Sequence, residues 1–209
     1  MEVECLVEKQ KPEDVDPLSG RRPGGEEISL KRICVFAGSS KGVRAEYHDA
    51  ARTLGHALGA RGIGVVYGAG GIGLMGVLAD AVLENGGEIT GVIPDKLMEM
   101  EVAHQGVTEL HVVRTMHERK ALMAELADGF ISLPGGLGTL EETMEMITWL
   151  QLGYHAKPVG LLNVRGYYDP LLAFFRHMND EGFISEKILG SFTVDDAPEE
   201  LVRRMLTPR

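Results

Sequence analysis

From about residue 32 to the end of the chain, short apolar runs alternate with longer segments whose apolar positions recur at helical spacing. Runs that are apolar throughout are typical of strands buried on both faces of a parallel sheet, and the segments between them predict covering helices. The pattern predicts an α/β fold: a doubly wound, mainly parallel sheet of about seven strands with helices on both faces. The predicted strands lie in residues 32–40, 63–71, 88–94, 110–115, 129–134, 157–163 and 191–195. The predicted helices lie in residues 47–62, 73–87, 116–127, 139–153, 168–182 and 197–206.

The chain divides into a polar N-terminal segment and one folded domain. Residues 1–31 are rich in proline, glycine and charge and lack an apolar face, which predicts a flexible extension. Residues 32–209 have an ordinary length for a single domain with its own core. Ligands of doubly wound sheets bind at the carboxyl ends of the strands, so we expect a site in the loops that follow the strands.

Composition and charge argue against several classes of partner. The chain has 44% hydrophobic and 25% charged residues, as soluble globular proteins do, and a net charge of −10 without a basic stripe. Nucleic acid polymer is therefore not expected as a partner, although a small phosphate ligand needs only local positive potential. No apolar run reaches the roughly 20 residues of a membrane helix, so no membrane partner is expected. Cys5 and Cys34 form no disulfide framework and no signal peptide pattern is seen, which together predict a cytoplasmic location.

Three glycine-rich loops each lead from a predicted strand into a predicted helix. They lie at residues 37–40, 68–76 and 134–139. Glycine lets the backbone approach a ligand closely, and the unpaired N–H groups of a first helical turn favour an anion, so the loops predict a cradle for phosphate. The second loop also satisfies the G-x-G-x-x-G pattern of dinucleotide-binding proteins. Asp95 lies farther along than the acidic residue of that pattern, which makes an NAD(P)-dependent oxidoreductase the less favoured alternative.

Arg119 and Glu142 each admit a structural and a functional interpretation. Arg119 lies on the apolar stripe near the start of the helix predicted at 116–127. Either its stem packs while its head reaches solvent, or its guanidinium points at the mouth of the sheet to bind phosphate or a carboxylate. Glu142 follows Thr139 by three residues, and this spacing alone favours a capping box with Thr139 as the N-cap. Glu142 also stands beside the proposed phosphate loop, where a carboxylate is unfavourable unless the chemistry or a cation such as Arg119 requires it.

Patterns for other chemistry are missing from the sequence. His117-Glu118 lacks the second histidine of a zinc protease, and the remaining histidines show no metal-ligand spacing. A serine hydrolase is not expected, and no lysine stands in a context that demands a Schiff base. We therefore expect neither a metal nor an organic cofactor.

Taken together, the motifs resemble those of the LONELY GUY family. The segment "PGGLGTLEE", residues 134–142, is similar to the family signature P-G-G-x-G-T-x-x-E, and "MHERK", residues 116–120, to its M-x-x-R-K partner. The segments "FAGSS", "GAGGIGLMG", "TWLQLGYHAKPVGLLNVRGYYDPLL" and "DEGFI" also match, so the resemblance covers about residue 32 to the C-terminus. It implies a Rossmann-like homodimer that hydrolyses cytokinin riboside 5′-monophosphates, and AMP, to the free base and ribose 5-phosphate. Relatives often carry the label lysine decarboxylase, but the sequence shows no pyridoxal phosphate site.

The resemblance also implies which residues act. Arg119 and Glu142 are catalytic by motif: Glu142 stabilises an oxocarbenium ion or activates water, and Arg119 keeps Glu142 ionised. Leu137 stands where many members have tyrosine, which bears on the preference for the base. The implied substrate-binding residues are Gly38, Ser39, Glu101, Met116, Lys120, Gly135, Gly136, Leu137, Gly138, Thr139, Leu140, Glu141 and Thr148.

A competing class is a module that binds a nucleotide or the molybdenum cofactor on the same fold without hydrolase activity. Such a module needs the glycine loops but not the pair of Arg119 and Glu142. The presence of both residues favours the enzyme.

Overall fold

The computed structural model describes residues 30–98 and 103–207. Its strands are β1 (Arg32–Phe36), β2 (Gly64–Tyr67), β3 (Ile89–Pro94), β4 (Glu109–Val113), β5 (Gly129–Ser132), β6 (Val159–Leu162) and β7 (Phe192–Asp195). Its α-helices are α1 (Ala45–Gly59), α2 (Gly73–Glu84), α3 (Met116–Leu126), α4 (Leu137–Leu152), α5 (Asp169–Asp180), α6 (Glu186–Leu189) and α7 (Pro198–Leu206). Two short 3₁₀ turns lie at Asp95–Leu97 and Val164–Gly166.

The strands form one sheet in the order β4-β3-β2-β1-β5-β6-β7, and every neighbouring pair is parallel. Helices α1, α2 and α7 pack on one face, while α3, α4 and α5 pack on the other. The predicted doubly wound α/β sheet of seven strands is therefore confirmed. From β1 and β5 the strand order runs outward in opposite directions, so these two strands flank the crevice where such sheets bind ligands.

The central strand β1 contributes side chains to both cores. Ile33 and Val35 pack in the cluster beneath α1 and α2, whereas Cys34 and Phe36 pack in the cluster beneath α3, α4 and α5. Successive side chains of a strand point to opposite faces, so a strand covered by helices on both faces is apolar at most of its buried positions. Burying each large apolar side chain contributes roughly 1.5–3 kcal/mol, and this holds β1 in the centre of the sheet.

Two residues before the predicted boundary at residue 32 contact the folded part of the chain. Leu30 is buried in the core beneath α1 and α2. The backbone N–H groups of Lys31 and Arg32 donate to the carboxylate of Asp128 at 2.8 and 2.9 Å. Leu30 and Lys31, the last two residues of the predicted extension, therefore contact the packed domain. Residues 1–29 lie outside the described residues.

The capping box predicted at residues 139–142 is wrong. Helix α4 begins two residues earlier, at Leu137, with Gly136 as its N-cap, because the glycines of this loop allow the chain to turn into the helix there. Thr139 is instead a buried residue of the first turn. The same Thr-x-x-Glu spacing caps α3, where Thr115 Oγ1 accepts a hydrogen bond from the N–H of Glu118 at 3.1 Å.

A half-buried histidine fixes the connection between α4 and β6. His155 Nδ1 accepts a hydrogen bond from the N–H of Lys157 at 3.1 Å, so Nε2 carries the ring proton and donates it to the carbonyl of Met146 at 3.0 Å. The ring also packs against Phe130, with the centroids 5.3 Å apart. Burial lowers the pKa of His155 below its ordinary value of 6.5, and the charge of Lys157 acts in the same direction.

This histidine predicts part of the pH dependence of stability. The unfolded chain protonates His155 near its ordinary pKa of about 6.5, and the folded chain, in which this pKa is lower, binds the proton less readily, so acidification from about pH 7 to pH 5 favours unfolding. We expect His155→Gln to lose less unfolding free energy over this interval than the unchanged protein, as measured by urea denaturation at both pH values. His117→Gln, on the exposed side of α3, is the matched control and should keep the original difference. An unchanged pH dependence in His155→Gln would contradict the prediction.

Candidate active site

Three loops meet at the carboxyl ends of β1, β2 and β5. The N–H of Leu74, at the start of α2, donates to the carbonyl of Gly38 at 3.0 Å. A Cβ atom on Gly38 would lie 3.3 Å from the Cα atom of Gly135, so the loops after β1 and β5 also touch. Gly73 has a φ of +65°, and a Cβ atom there would lie 2.2 Å from the carbonyl carbon of Ser39, so only glycine fits. The three glycine-rich loops thus meet at one edge of the sheet, and the region between residues 37–40, 68–71 and 134–136 is called the crevice below.

Arg119 reaches this crevice from the first turn of α3, although it is only 5% exposed. Its Nη2 atom donates to the carbonyl of Gly68, at the end of β2, at 2.9 Å. A Cβ atom on residue 68 would lie 2.0 Å from Nη2, so any side chain at this position would displace the guanidinium from the carbonyl of Gly68. Nη1 lies 3.9 Å from the Sδ atom of Met116. The interpretation that places the head of Arg119 in solvent is therefore wrong, and the guanidinium lies at the mouth of the sheet.

Glu142 brings a negative charge to the same region, from the second turn of α4, where it is half-buried. The pKa of Cys34, in the middle of β1, is raised well above its ordinary value, first by burial and then by the charge of Glu142. The positive charge of Arg119 acts on the same thiol in the opposite direction. The opposite charges of Arg119 on α3 and Glu142 on α4 therefore act on the same buried sulfur atom beneath the crevice. That atom lies in β1, one of the two strands from which the strand order runs outward in opposite directions. Such an arrangement suits a reaction in which charge develops.

Lys120 and Glu141, both implied as substrate-binding residues, form an ion pair with each other. The ammonium group of Lys120 contacts the carboxylate of Glu141 and, at 3.1 Å, that of Glu145. These hydrogen bonds, with Glu141 first, raise the pKa of Lys120. They join α3 to α4 next to Arg119 and Glu142, so they fix the two helices that carry the charged residues. A direct contact of Lys120 or Glu141 with substrate stays a prediction.

The start of α4 presents open backbone to the crevice. Gly136 is the N-cap and Gly138 lies in the first turn; neither has a positive φ, and a Cβ atom on either would meet no atom within 4 Å. Gly135 differs, because a Cβ atom there would lie 2.2 Å from Oγ1 of Thr139. Packing within the chain thus explains Gly135 but not Gly136 or Gly138, and Leu137 between them is 86% exposed. The first N–H groups of α4 are accessible to an anionic ligand.

The other implied residues differ in their distance from the crevice. Ser39 and Met116 are exposed near its rim, and Leu140 is half-buried in the first turns of α4. Thr148 is exposed on α4 about 16 Å along the helix axis from the first residue, so it does not share the crevice of its own chain with residues 136–138. Glu101 lies outside the described residues.

Two tyrosines that follow β6 contact the loop after β5, and no chemical pattern in the sequence indicates them. The hydroxyl of Tyr167 donates to the carbonyl of Gly135 at 2.5 Å, and that of Tyr168 to the carbonyl of Leu133 at 2.6 Å. The only sequence signal is that they belong to the segment "NVRGYYDPLL", which matches the family without a stated role.

Metal-binding and membrane-spanning features were sought in residues 30–98 and 103–207. No group of three or more His, Cys, Asp or Glu side chains in these ranges could hold a metal ion. No helix in the same ranges is long and apolar enough to cross a membrane.

Comparison with known proteins identifies close relatives. Residues 75–205 match the family model described as possible lysine decarboxylase. The chain is 54% identical over 174 residues to the probable cytokinin riboside 5′-monophosphate phosphoribohydrolase LOGL1 of Oryza sativa subsp. japonica, covering 83% of this chain and 78% of the relative. It is 56% identical over 163 residues to the phosphoribohydrolase LOG of the same plant, covering 78% and 67%. It is 51% identical over 179 residues to LOG1 of Arabidopsis thaliana, covering 86% and 84%.

Solved structures share the fold at much lower identity. The molybdenum cofactor binding protein of Rippkaea orientalis matches with a TM-score of 0.64 and 22% identity, covering 86% of this chain and 99% of that one. The molybdenum cofactor carrier protein of Chlamydomonas reinhardtii matches with a TM-score of 0.64 and 20% identity, covering 85% and 99%. These likenesses show the fold alone. The relatives that are more than half identical over most of both chains decide the family: the chain belongs to the LONELY GUY family of cytokinin riboside 5′-monophosphate phosphoribohydrolases.

Proposed function

We propose that this protein hydrolyses the N-glycosidic bond of cytokinin riboside 5′-monophosphates and of AMP, releasing the free base and ribose 5-phosphate. One observation carries the proposal: a buried arginine and a glutamate adjoin a crevice whose rim offers free backbone N–H groups. Relatives that are 51–56% identical and are named for this reaction support it. Water is the second substrate, and the side chains of the protein supply the charges that the reaction needs.

The 5′-phosphate of the substrate binds at the start of α4. The N-terminus of a helix carries roughly half a positive charge, and the backbone of Gly136 and Gly138 is open to an approaching anion. The phosphate lies on the ribose away from the bond that breaks. Its binding energy therefore positions the anomeric carbon without touching the reacting atoms.

Glu142 stabilises the positive charge that develops on the ribose. When the N-glycosidic bond breaks, the base leaves with the bonding electrons and the ribose becomes an oxocarbenium-like ion, to which water adds. A carboxylate held beneath the ring stabilises this ion and orients the water. Arg119 supplies the opposite charge that keeps Glu142 ionised at neutral pH.

The matching family model is described as a possible lysine decarboxylase, which would need a lysine able to form a Schiff base. Neither of the two lysines with shifted pKa values meets this need. A Schiff-base lysine needs a lowered pKa and a place at the ligand site. The pKa of Lys120, beside the crevice, is raised by its ion pairs. Burial lowers the pKa of Lys157, but this residue precedes β6 at the amino end of the sheet and donates to the carbonyl of Ala124 at 2.7 Å.

A cofactor-binding module is the second candidate, because the fold matches molybdenum cofactor proteins. Those matches are only 20–22% identical and extend to the fold alone. A binding module has no need to bury a guanidinium at the mouth of the sheet opposite a carboxylate. The costly burial of Arg119 favours the enzyme.

We further propose that the enzyme is a cytoplasmic homodimer. Large apolar side chains are exposed on or next to α4 and α5, a common property of protein interfaces: Leu152, Tyr154, Phe174 and Phe183. Thr148 is exposed on the same helix α4. In a dimer it could line the crevice of the other subunit. Sedimentation at twice the 22.7 kDa chain mass would support the dimer. The cytoplasmic location rests on the free, buried thiol of Cys34 and is tested by cell fractionation.

The proposed phosphate site predicts strong selection for the 5′-phosphate. We expect kcat/KM for AMP to exceed that for adenosine by at least about 10²-fold, because adenosine lacks the charge-assisted hydrogen bonds at the start of α4. Chromatographic measurement of released adenine gives both rates. The 3′-phosphate isomer of AMP is the control for charge alone and should react as poorly as adenosine. Comparable rates for AMP and adenosine would contradict the site.

The open backbone at Gly138 predicts a trade between stability and activity. Alanine fits its negative φ and favours the helix over glycine by roughly 0.5–1 kcal/mol, so Gly138→Ala should raise the melting temperature. The added methyl group would project into the space where the phosphate approaches, and kcat/KM for AMP should fall about tenfold or more. Thermal denaturation and steady-state kinetics measure the two effects. A stabilised variant with unchanged kcat/KM would show that phosphate does not approach Gly138.

A further inference from the structure

The turn that follows β6 is hydrogen-bonded to the loop that precedes α4. In this turn the hydroxyl of Tyr167 donates to the carbonyl of Gly135 at 2.5 Å, and the hydroxyl of Tyr168 donates to the carbonyl of Leu133 at 2.6 Å. Two neighbouring phenols thus hold two carbonyls of one short loop. Only one of the two carbonyls belongs to a peptide unit that also has an N–H group.

The carbonyl of Gly135 belongs to the peptide unit whose N–H is that of Gly136. This unit is planar and trans, so its carbonyl and its N–H point in opposite directions. By fixing the direction of the carbonyl, the hydroxyl of Tyr167 also fixes the direction of the Gly136 N–H, the N-cap amide of α4. The carbonyl of Leu133 belongs to the peptide unit of Pro134, which has no N–H to orient.

Tyr167 is itself held in place by the turn. Its ring packs edge to face against Tyr47 and Tyr168, with centroids 5.7 and 5.1 Å apart. Arg165, although not a glycine, has a φ of +55°, so the chain accepts backbone strain two residues before Tyr167. The N–H of Tyr168 is bonded to Oδ1 of Asn163 at 2.6 Å. Strain that persists in a turn indicates that the position of the turn matters.

The carbonyl of Gly136 accepts a hydrogen bond from the N–H of Leu140 at 3.0 Å, but this bond does not fix the peptide unit that carries the Gly136 N–H. A Cβ atom on Gly136 would meet no atom within 4 Å, and the N-cap has no side-chain hydrogen bond. A glycine in open space has more backbone freedom than any other residue, and freezing it on binding costs affinity. The hydroxyl of Tyr167 fixes the adjoining carbonyl of Gly135 before a ligand binds, and this lowers that cost.

We propose that Tyr167 is a positioning residue for the phosphate: its hydroxyl orients the Gly136 N–H, through the shared peptide plane, towards the 5′-phosphate of the substrate. The proposal rests on the proposed function, which places the phosphate at the start of α4. Tyr167 touches neither the anomeric carbon nor the base, so its effect falls on binding and not on bond cleavage.

Two matched variants test the proposal. In Tyr167→Phe we expect the KM for AMP and the dissociation constant for ribose 5-phosphate, measured by calorimetry, to rise together by about tenfold, while kcat changes less than about twofold. Because Tyr167 is partly exposed, the melting temperature of the Tyr167→Phe variant should fall little. In Tyr168→Phe the melting temperature should fall, because a buried carbonyl loses its partner, but both binding constants should stay unchanged.

Three results would overturn the proposal, and they are distinguishable. Unchanged KM and ribose 5-phosphate affinity in Tyr167→Phe would remove its positioning role while leaving the phosphate site intact. Equal losses of affinity in Tyr167→Phe and Tyr168→Phe would show that the two hydroxyls only hold the loop together. Failure of the unchanged protein to bind ribose 5-phosphate would remove the phosphate site and the proposed function with it.

Discussion

The burial of the Arg119 guanidinium is the constraint on which the rest of the site depends. A cation removed from water costs several kcal/mol unless it is bonded and balanced. The protein meets this cost with the carbonyl of Gly68, with a glycine at that position to make room, and with the opposite charge of Glu142 nearby. Capping of α3 at Thr115 sets where the arginine emerges, and the ion pair of Lys120 with Glu141 joins that helix to α4. Helices and loops at this edge of the sheet are thus arranged around one buried charge.

Much of the fold follows from the sequence, because strands buried on both faces are apolar at most positions and such runs are easy to recognise. The start of α4 does not follow. The spacing of Thr139 and Glu142 fits a capping box, yet the helix begins at Leu137, since the preceding glycines permit an earlier turn. The same spacing at Thr115 and Glu118 does form a cap. Local patterns name the residues able to cap a helix, and tertiary packing decides which of them do so.

The site is predictable where a residue has an unusual chemical role and less so where it only supports another. An arginine on an apolar stripe and glycines at strand ends stand out in the sequence, and the structure brings Arg119 and the glycine loops to one crevice. Tyr167 and Tyr168 act through hydroxyl contacts with backbone far away in the chain, which no local pattern encodes. Thr148 fits the family motif but is distant from the crevice of its own chain. A role for Thr148 therefore depends on assembly, which periodicity and motif cannot describe.

We propose that the charge of Glu142 serves catalysis. Because Gly136 is the N-cap of α4, Glu142 has no role as a capping residue that would explain it instead. The most direct measurement is the rate of adenine release from AMP by Glu142→Gln, which keeps the shape and hydrogen-bonding capacity of the side chain but not its charge. Glu125→Gln, exposed on α3, is the matched control. We predict that kcat falls by about 10²–10⁴ in Glu142→Gln although the variant remains folded, and that the control turns over normally. Near-normal turnover of AMP and of N6-substituted nucleotides by Glu142→Gln would contradict the account.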